Sequence, residues 1–363
     1  MSLLQSFARM VPPPTFMQLP SVGVDVSDTS LKYMQFVPHY GRTVTYSITG
    51  WGDIDIPIGA LDRGHVNDVK QLSQALAQVR ERTGATFVRV SLPEERAYIF
   101  ETEVRIGTPL SEIRSQLEFR LEEHVPISPR EAFFDFQITT EVNNSLSVSV
   151  VVYARETIMN YYEACQLAGV TPIGFEVEAQ AIVRATLPPD DDKTHMIIDF
   201  GKTRTGVGIV HAGHLLYTST IDIGGSELSK AMRRILGNDV AESELTRIKN
   251  TEGLVTRRGN TQVYEILLAV VSGIKDEIAT RLQYWHTREH DLETRRIQSI
   301  ILCGGSANLK GVTEYFTETL GIPTVRGDVW RNVPFHQHAV PPMEKRFSYG
   351  YATTIGLALK HTV

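Results

Sequence analysis

Two short stretches decide how this chain is read: Asp25-Val26-Ser27-Asp28-Thr29 near its start and Asp199-Phe200-Gly201-Lys202-Thr203 past its middle. Each sets an aspartate at the end of an apolar run, a small residue two places on and a threonine two further. The surroundings repeat as well. From Val22 the chain reads as a strand, a turn at 27–30, a strand at 31–37, a turn at 39–41 and a strand at 44–48. From Met196 it reads as a strand to Phe200, a strand at 206–210, a turn at 211–214 and a strand at 215–221. The expectation is an α/β protein made by duplication of a whole domain.

A strand that ends in aspartate and turns through Gly, Ser and Thr supplies backbone N–H groups and hydroxyls for phosphate oxygens, and a carboxylate for a hydrated magnesium ion. Two such turns facing each other would grip a polyphosphate from both sides. On that chemistry Asp25 and Asp199 are the candidate metal residues, Ser27, Thr29 and Thr205 the phosphate donors, and Lys32 an added point charge. A third segment, the apolar run 297–302, enters Cys303-Gly304-Gly305-Ser306, where adjacent glycines let a flat base or ribose approach the backbone. Glycine at a helix entry, needed only for packing, is the lesser alternative there, and Gly224-Gly225 offers the same choice.

Between the repeats the spacing predicts a helix capped by Asn67, with Val69, Leu72, Leu76 and Val79 on one face and a stop at Gly84. A strand at 86–92 follows. Thr108-Pro109 reads as an N-cap and first helical residue ahead of Ile113, Leu117, Leu121 and Val125. Two strands, 132–139 and 146–153, then flank a turn at Asn143-Asn144, so 93–152 reads as a small inserted α+β unit. The polar stretch 188–193 is the best linker candidate.

The chain has 363 residues and 40.6 kDa, more than one core usually organises, which suits two lobes. With 42% apolar and 21% charged residues it reads as an ordered globular protein. Lys plus Arg number 36 against 42 Asp plus Glu, so nothing in the charge points to nucleic acid. Two distant cysteines, Cys165 and Cys303, exclude a disulfide framework. The most apolar run, 266–274, is about half of the roughly 20 residues needed to cross a bilayer. The first twenty residues lack a signal-peptide core and read as a flexible leader of a cytoplasmic protein.

Taken in order, 22–32, Glu176-Val177-Glu178-Ala179, 199–205, Gly224-Gly225 and Cys303-Gly304-Gly305 resemble the actin, sugar-kinase and heat-shock chaperone superfamily. Within it the chain resembles the PilM family of type IV pilus assembly. The marks are Ser91-Leu92-Pro93, the run 117–127 inside the inserted unit and the closing 351–359. The resemblance implies an actin-like two-lobed fold of duplicated ribonuclease H-like domains. Its expected divisions are a leader at 1–20, a first lobe at 21–92 and 153–190 with the insertion 93–152 between them, a second lobe at 191–345, and a C-terminal helix, 346–363, returning to the first lobe. It further implies ATP with Mg2+ in the cleft. Asp25 and Asp199 would serve the metal; Ser27, Thr29, Lys32, Gly201 and Thr205 the phosphates, with Asp28, Lys202, Thr203, Gly224 and Gly225 alongside; and Gly304, Gly305, Ser306 and Lys249 the adenosine. Glu178 is where hydrolysing relatives place a water-orienting residue. A groove beside the inserted unit is expected to take the short cytoplasmic N-terminal tail of a PilN-like membrane protein, holding the chain at the inner face of the inner membrane indirectly, with other pilus components and homo-oligomers as further partners. One departure is Asp28, where the family usually has a small or hydroxyl residue; a carboxylate there repels phosphate unless it faces magnesium or solvent.

Three other readings compete. His286-Thr287-Arg288-Glu289-His290 matches a zinc-protease spacing, but its charged surroundings suit a solvated helix and no third ligand is evident. A sugar or acid kinase would need a catalytic aspartate base that the sequence does not offer. An FtsA-like division protein would carry an amphipathic C-terminal anchor, whereas this chain ends at 360–363 directly after its expected last helix. Phe133, Phe134 and Phe136 read as core of the inserted unit rather than as a binding surface.

Overall fold

The structure, a computed structural model, describes residues 21–39, 43–142, 145–255, 261–288 and 295–359. The expected leader, the Asn143-Asn144 turn, Glu289 with His290, and residues 360–363 lie outside them.

The repeat in the sequence is a repeat in topology. In the first half, β1 (Ser21–Val26), β2 (Ser30–His39) and β3 (Thr45–Asp55) form an antiparallel meander. After the short arms β4 (Leu61–Asp62) and β5 (His65–Val66), β6 (Phe87–Leu92) pairs in parallel with β1. Outside a small three-stranded sheet of β7 (Tyr98–Arg105), β8 (Ala132–Val142) and β9 (Ser145–Ala154), β10 (Thr171–Val177) pairs in parallel with β6. The second half does the same. Here β11 (Thr194–Phe200), β12 (Thr205–His211) and β13 (His214–Ile221) form the meander. The first of these pairs in parallel with β14 (Ile297–Cys303), which pairs in parallel with β15 (Thr324–Arg326). Central strands are covered on both faces, which is why β6 and β11 are buried along nearly their whole length, polar residues such as Arg89, Ser91 and His195 included.

Helices cover these sheets. Helix α1 (Val69–Thr83) buries Leu72, Leu76 and Val79 as the spacing predicts, but its cap is Asp68, whose Oδ1 accepts from the N–H groups of Lys70 at 3.0 Å and Gln71 at 3.1 Å. Asn67 instead turns its amide to the Gly59 carbonyl. Helix α2 (Leu110–His124) starts after Pro109; the Thr108 hydroxyl donates back to the Arg105 carbonyl rather than capping. Its face Ile113, Leu117 and Leu121 packs on Phe100, Val148 and Val150, a core separate from that of the rest of the chain. After α3 (Arg155–Leu167), α4 (Glu178–Thr186) leads toward residues 188–193 and the second half. Later come α5 (Gly225–Leu236), α6 (Glu242–Thr251), α7 (Thr261–Arg288), α8 (Val312–Leu320) and α9 (Ala352–Leu359). Helix α9 returns to β1 and α4, and Gly356 makes that approach possible: a β-carbon there would collide with the Ala181 carbonyl oxygen.

The β7–β9 unit touches both halves: the Tyr153 hydroxyl donates to the Pro93 carbonyl of the first, and the following bonds reach the second. Ser149 donates to the Leu215 carbonyl at 2.8 Å, and Arg295 pairs with Glu101 through 2.6 and 3.1 Å contacts. Among the described residues no helix is long and apolar enough to cross a membrane.

Candidate functional site: a carboxylate-lined cleft and an apolar groove

The two repeated turns face each other across a cavity of about 270 Å³ between the halves. The reason is topological: β1 and β11 are equivalent central strands, and both aspartates stand at their C-terminal ends, where ligands bind in sheets of this kind. Asp25 and Asp199 both line the cavity, with Ser27, Asp28, Thr29, Lys32 and Glu178 from the first half and Gly201, Lys202, Thr203, Gly304 and Gly305 from the second. Lys32 lies opposite Asp25 in the β1–β2 register, so its charge falls beside the carboxylate.

Several of the expected site residues make bonds of their own, some within the cavity wall and some outside it. Thr205 is fully buried, stands outside the cavity wall and directs its hydroxyl to the Ile223 carbonyl at 2.7 Å. Ser27 closes its own turn by donating to the Ser30 carbonyl at 2.8 Å. Lys249 lies outside the cavity wall, its amine donating to Ser229 at 2.8 Å and facing Glu242 at 3.5 Å. Gly224, Gly225 and Ser306 knot three segments together behind the cavity. The Gly225 N–H donates to the Gly201 carbonyl at 3.0 Å, the Ser306 hydroxyl donates to the same oxygen at 3.1 Å, and a β-carbon on Gly224 would collide with the 202–204 backbone. Gly304, at φ +86°, packs against Asp199 and Phe200, whereas the space beside Gly305 is open. Asp28, at the cavity wall and largely shielded from solvent, pairs with Arg204 from the opposite turn and accepts from the Gly64 N–H at 3.3 Å.

Three cavity residues, Glu94, Glu95 and Arg204, and one behind the wall, Ser91, were not expected in the site from the sequence. Ser91, at the end of β6, donates to Asp25 Oδ1 at 2.8 Å and accepts from the Val26 N–H at 3.0 Å, fixing the carboxylate. Glu94, buried, accepts from the Ala179 N–H at 2.9 Å, which ties the turn after β6 to the start of α4. Glu95 pairs with the second Nη of Arg204. Arg204 sits between two threonines in a turn whose phosphate pattern calls for small side chains, so its spacing carried no signal. Ser91 and Glu94 flank Leu92-Pro93, and the strand end there was the available hint.

Eight carboxylates and three cations line the cavity. Burial, then the charge of Asp25, pushes Asp199 up to about 7, with Lys32 opposing. Burial, then Asp199, pushes Glu94 up to about 8. Burial also raises Asp25, against the pull of Lys32 and the Ser91 hydrogen bond, and raises Glu178, followed by repulsion from Asp25, Glu94 and Asp199. Carboxylates that hold one another protonated are relieved by a cation, so the donor set fits a hydrated divalent ion carried on phosphate. Among the described residues no group of three or more His, Cys, Asp or Glu is arranged to hold a metal outright. The zinc-type spacing at 286–290 runs past Arg288 into residues outside the description.

A second concavity, of about 220 Å³, lies where the small sheet meets the first half. Strand β8 is the edge of the order β7-β9-β8, and β10 is an edge of the order β10-β6-β1-β2-β3; both contribute to its walls. Phe133, Phe134 and Phe136 line it, half-buried; Phe134 and Phe136 also pack against the core of the small sheet, as expected for them, while Phe133 belongs to the groove. The Arg155 guanidinium covers Phe133 at 4.1 Å and that of Arg114 covers Phe134 at 4.6 Å. Cleft and groove share their walls: Leu92 lines the groove and Glu94 the cleft, and Val177 lines the groove and Glu178 the cleft.

A family model described as type IV pilus assembly protein PilM matches residues 23–362. Among solved structures, a PilM-PilN type IV pilus biogenesis complex superposes with a TM-score of 0.76 at 19% identity, covering 94% of this chain and 98% of that one. MreB5 of Spiroplasma citri bound to ADP superposes with a TM-score of 0.52 at 15% identity, covering 86% and 93%. These likenesses establish an actin-like fold. The cell shape-determining protein MreB of Escherichia coli is 25% identical over 192 residues, 45% of this chain and 54% of MreB, so the chain spans about half the length of the curated relatives it matches.

Proposed function

Because the chain belongs to the PilM family of type IV pilus assembly proteins, we propose that it is an actin-like scaffold whose cleft takes an adenine nucleotide with magnesium, as ATP or ADP, and whose groove takes the N-terminal cytoplasmic tail of a PilN-like membrane protein. In this reading Asp25 and Asp199 hold the water shell of the metal, Lys32 and the N–H groups of residues 28–29 and 202–203 hold the phosphates, those of Ser27 and Gly201 being spent on closing their own turns, and Gly305 leaves room for the nucleoside. The metal neutralises phosphate charge among carboxylates that otherwise repel it. Glu178, at the first turn of α4, is the residue aimed at the cleft from that helix. Attachment to the membrane is through the partner.

One observation carries this reading: the β6 end and the β10–α4 junction each supply neighbouring residues to both sites. A ligand that moves either segment acts on the other site, which is what a nucleotide-responsive scaffold requires. Two sheet edges flank the groove, which favours an extended peptide adding to β8, with aromatic faces taking its apolar side chains. The test is calorimetric titration of the full chain with ATP or ADP and magnesium, with and without a synthetic peptide of the cognate tail. Binding of both ligands supports the reading. Peptide binding with no response to either nucleotide reduces the protein to a static adaptor, and no peptide binding removes the scaffold role.

A further inference from the structure

We propose that the Asp28–Arg204 pair discriminates between nucleotides by their number of phosphates, so that the cleft takes a nucleoside diphosphate in preference to the triphosphate. The proposal rests on the reading of the cleft as a nucleotide site. Its basis is the placement of the two residues. Asp28 is at the tip of the turn after β1 and Arg204 in the turn after β11, the two turns that face each other across the cavity. Their side chains pair directly, and both are largely shielded, at 15% and 14% exposure. The guanidinium is committed at both ends: one Nη goes to Asp28, the other to Glu95, and both acids come from the first half.

A carboxylate in the first turn thus supplies the negative charge that Arg204 would otherwise draw from a ligand. A diphosphate reaches Lys32 and the turn N–H groups without disturbing the pair. A terminal phosphate brings a further anion to the space between the two turns, where it must either separate Asp28 from Arg204 or lie against Asp28, Glu95 and Glu178. Separation frees a guanidinium for the phosphate but strands Asp28 among carboxylates, and removing one partner from a shielded ion pair is costly. Glycine or serine at position 28 would carry no such penalty. Glu95 holds the other side of Arg204, so loss of Asp28 alone leaves the arginine with a partner and the fold with a satisfied charge.

The experiment is titration of the full chain with magnesium-ADP and with a magnesium-bound, non-hydrolysable ATP analogue, in the wild type, in Asp28→Ser and in Asp28→Asn. The wild type is expected to bind the diphosphate about tenfold or more tighter, the least that breaking a shielded pair implies. Asp28→Ser is expected to bring the two affinities within about threefold, chiefly by tightening the triphosphate, with Asp28→Asn between them. A wild type that binds the analogue as tightly as ADP, or a ratio unmoved by Asp28→Ser, overturns the proposal while leaving the nucleotide reading intact. If neither nucleotide binds any of the three proteins, the nucleotide reading itself fails and the proposal with it.

Discussion

The Tyr153 hydroxyl donates to the Pro93 carbonyl at 3.2 Å, joining a wall residue of the groove to a wall residue of the cleft. Tyr153 belongs to β9 of the small sheet, and Pro93 lies one residue from Glu94, which holds the start of α4 through the Ala179 N–H. Three bonded segments therefore lie between the two sites.

If this bond carries coupling, Tyr153→Phe should leave each ligand's own affinity within about twofold and shrink their mutual effect. Coupling between sites of this kind runs to about fivefold or more. Titrating magnesium nucleotide with and without saturating tail peptide reads it directly, and an undiminished effect in the variant would assign the coupling to another route.

Asp25→Ala should lower magnesium-dependent nucleotide affinity about a hundredfold, since it removes the carboxylate that Ser91 fixes at the end of β1. Far-UV circular dichroism should be unchanged. Affinity within threefold of the wild type would take Asp25 out of the metal site.

Buried carboxyls give the apo protein a pH signature. Asp199 at about 7 and Glu94 at about 8 hold protons in the folded state that the unfolded chain releases near pH 4. Their folded values are raised, so their contribution to stability is present below about pH 4 and is lost as pH rises through 7 and 8. Without nucleotide and magnesium, the melting temperature should fall on the order of 5 °C between pH 6 and pH 8.5. Glu94→Gln should flatten that slope; an identical slope in the variant would contradict the account of Glu94.

Phe133→Ala should weaken peptide binding about tenfold or more while leaving nucleotide affinity alone, because an aromatic anchor in a half-buried groove carries a large share of binding energy. Loss of both ligands together would point to damage of the small sheet instead.

Gly356→Ala tests the packing of α9 on α4. The added methyl meets the Ala181 carbonyl, and overpacking of this kind costs about 2 kcal/mol or more. A thermal melt within one degree of the wild type would mean that α9 shifts at no cost.

Much of this molecule is legible in one dimension. The aspartate-ended strands at 25 and 199, the meanders after them, the helical face Leu72-Leu76-Val79 and the duplicated order follow from local spacing, because strand alternation and helical periodicity are properties of neighbours in sequence. Composition and the small inserted unit are legible for the same reason. What only the tertiary structure decided is which side chains meet. Thr205 fits the phosphate pattern yet faces Ile223; Lys249 faces Ser229 and Glu242; the three phenylalanines line a groove because β8 is an edge strand. Asp28, alone a defect in a phosphate turn, becomes half of an ion pair once Arg204, 176 positions away, is brought opposite it. Local pattern sets where a strand ends, but the charge a side chain finally feels depends on the other half of the cleft, and that is fixed only when two sheets far apart in sequence close on each other.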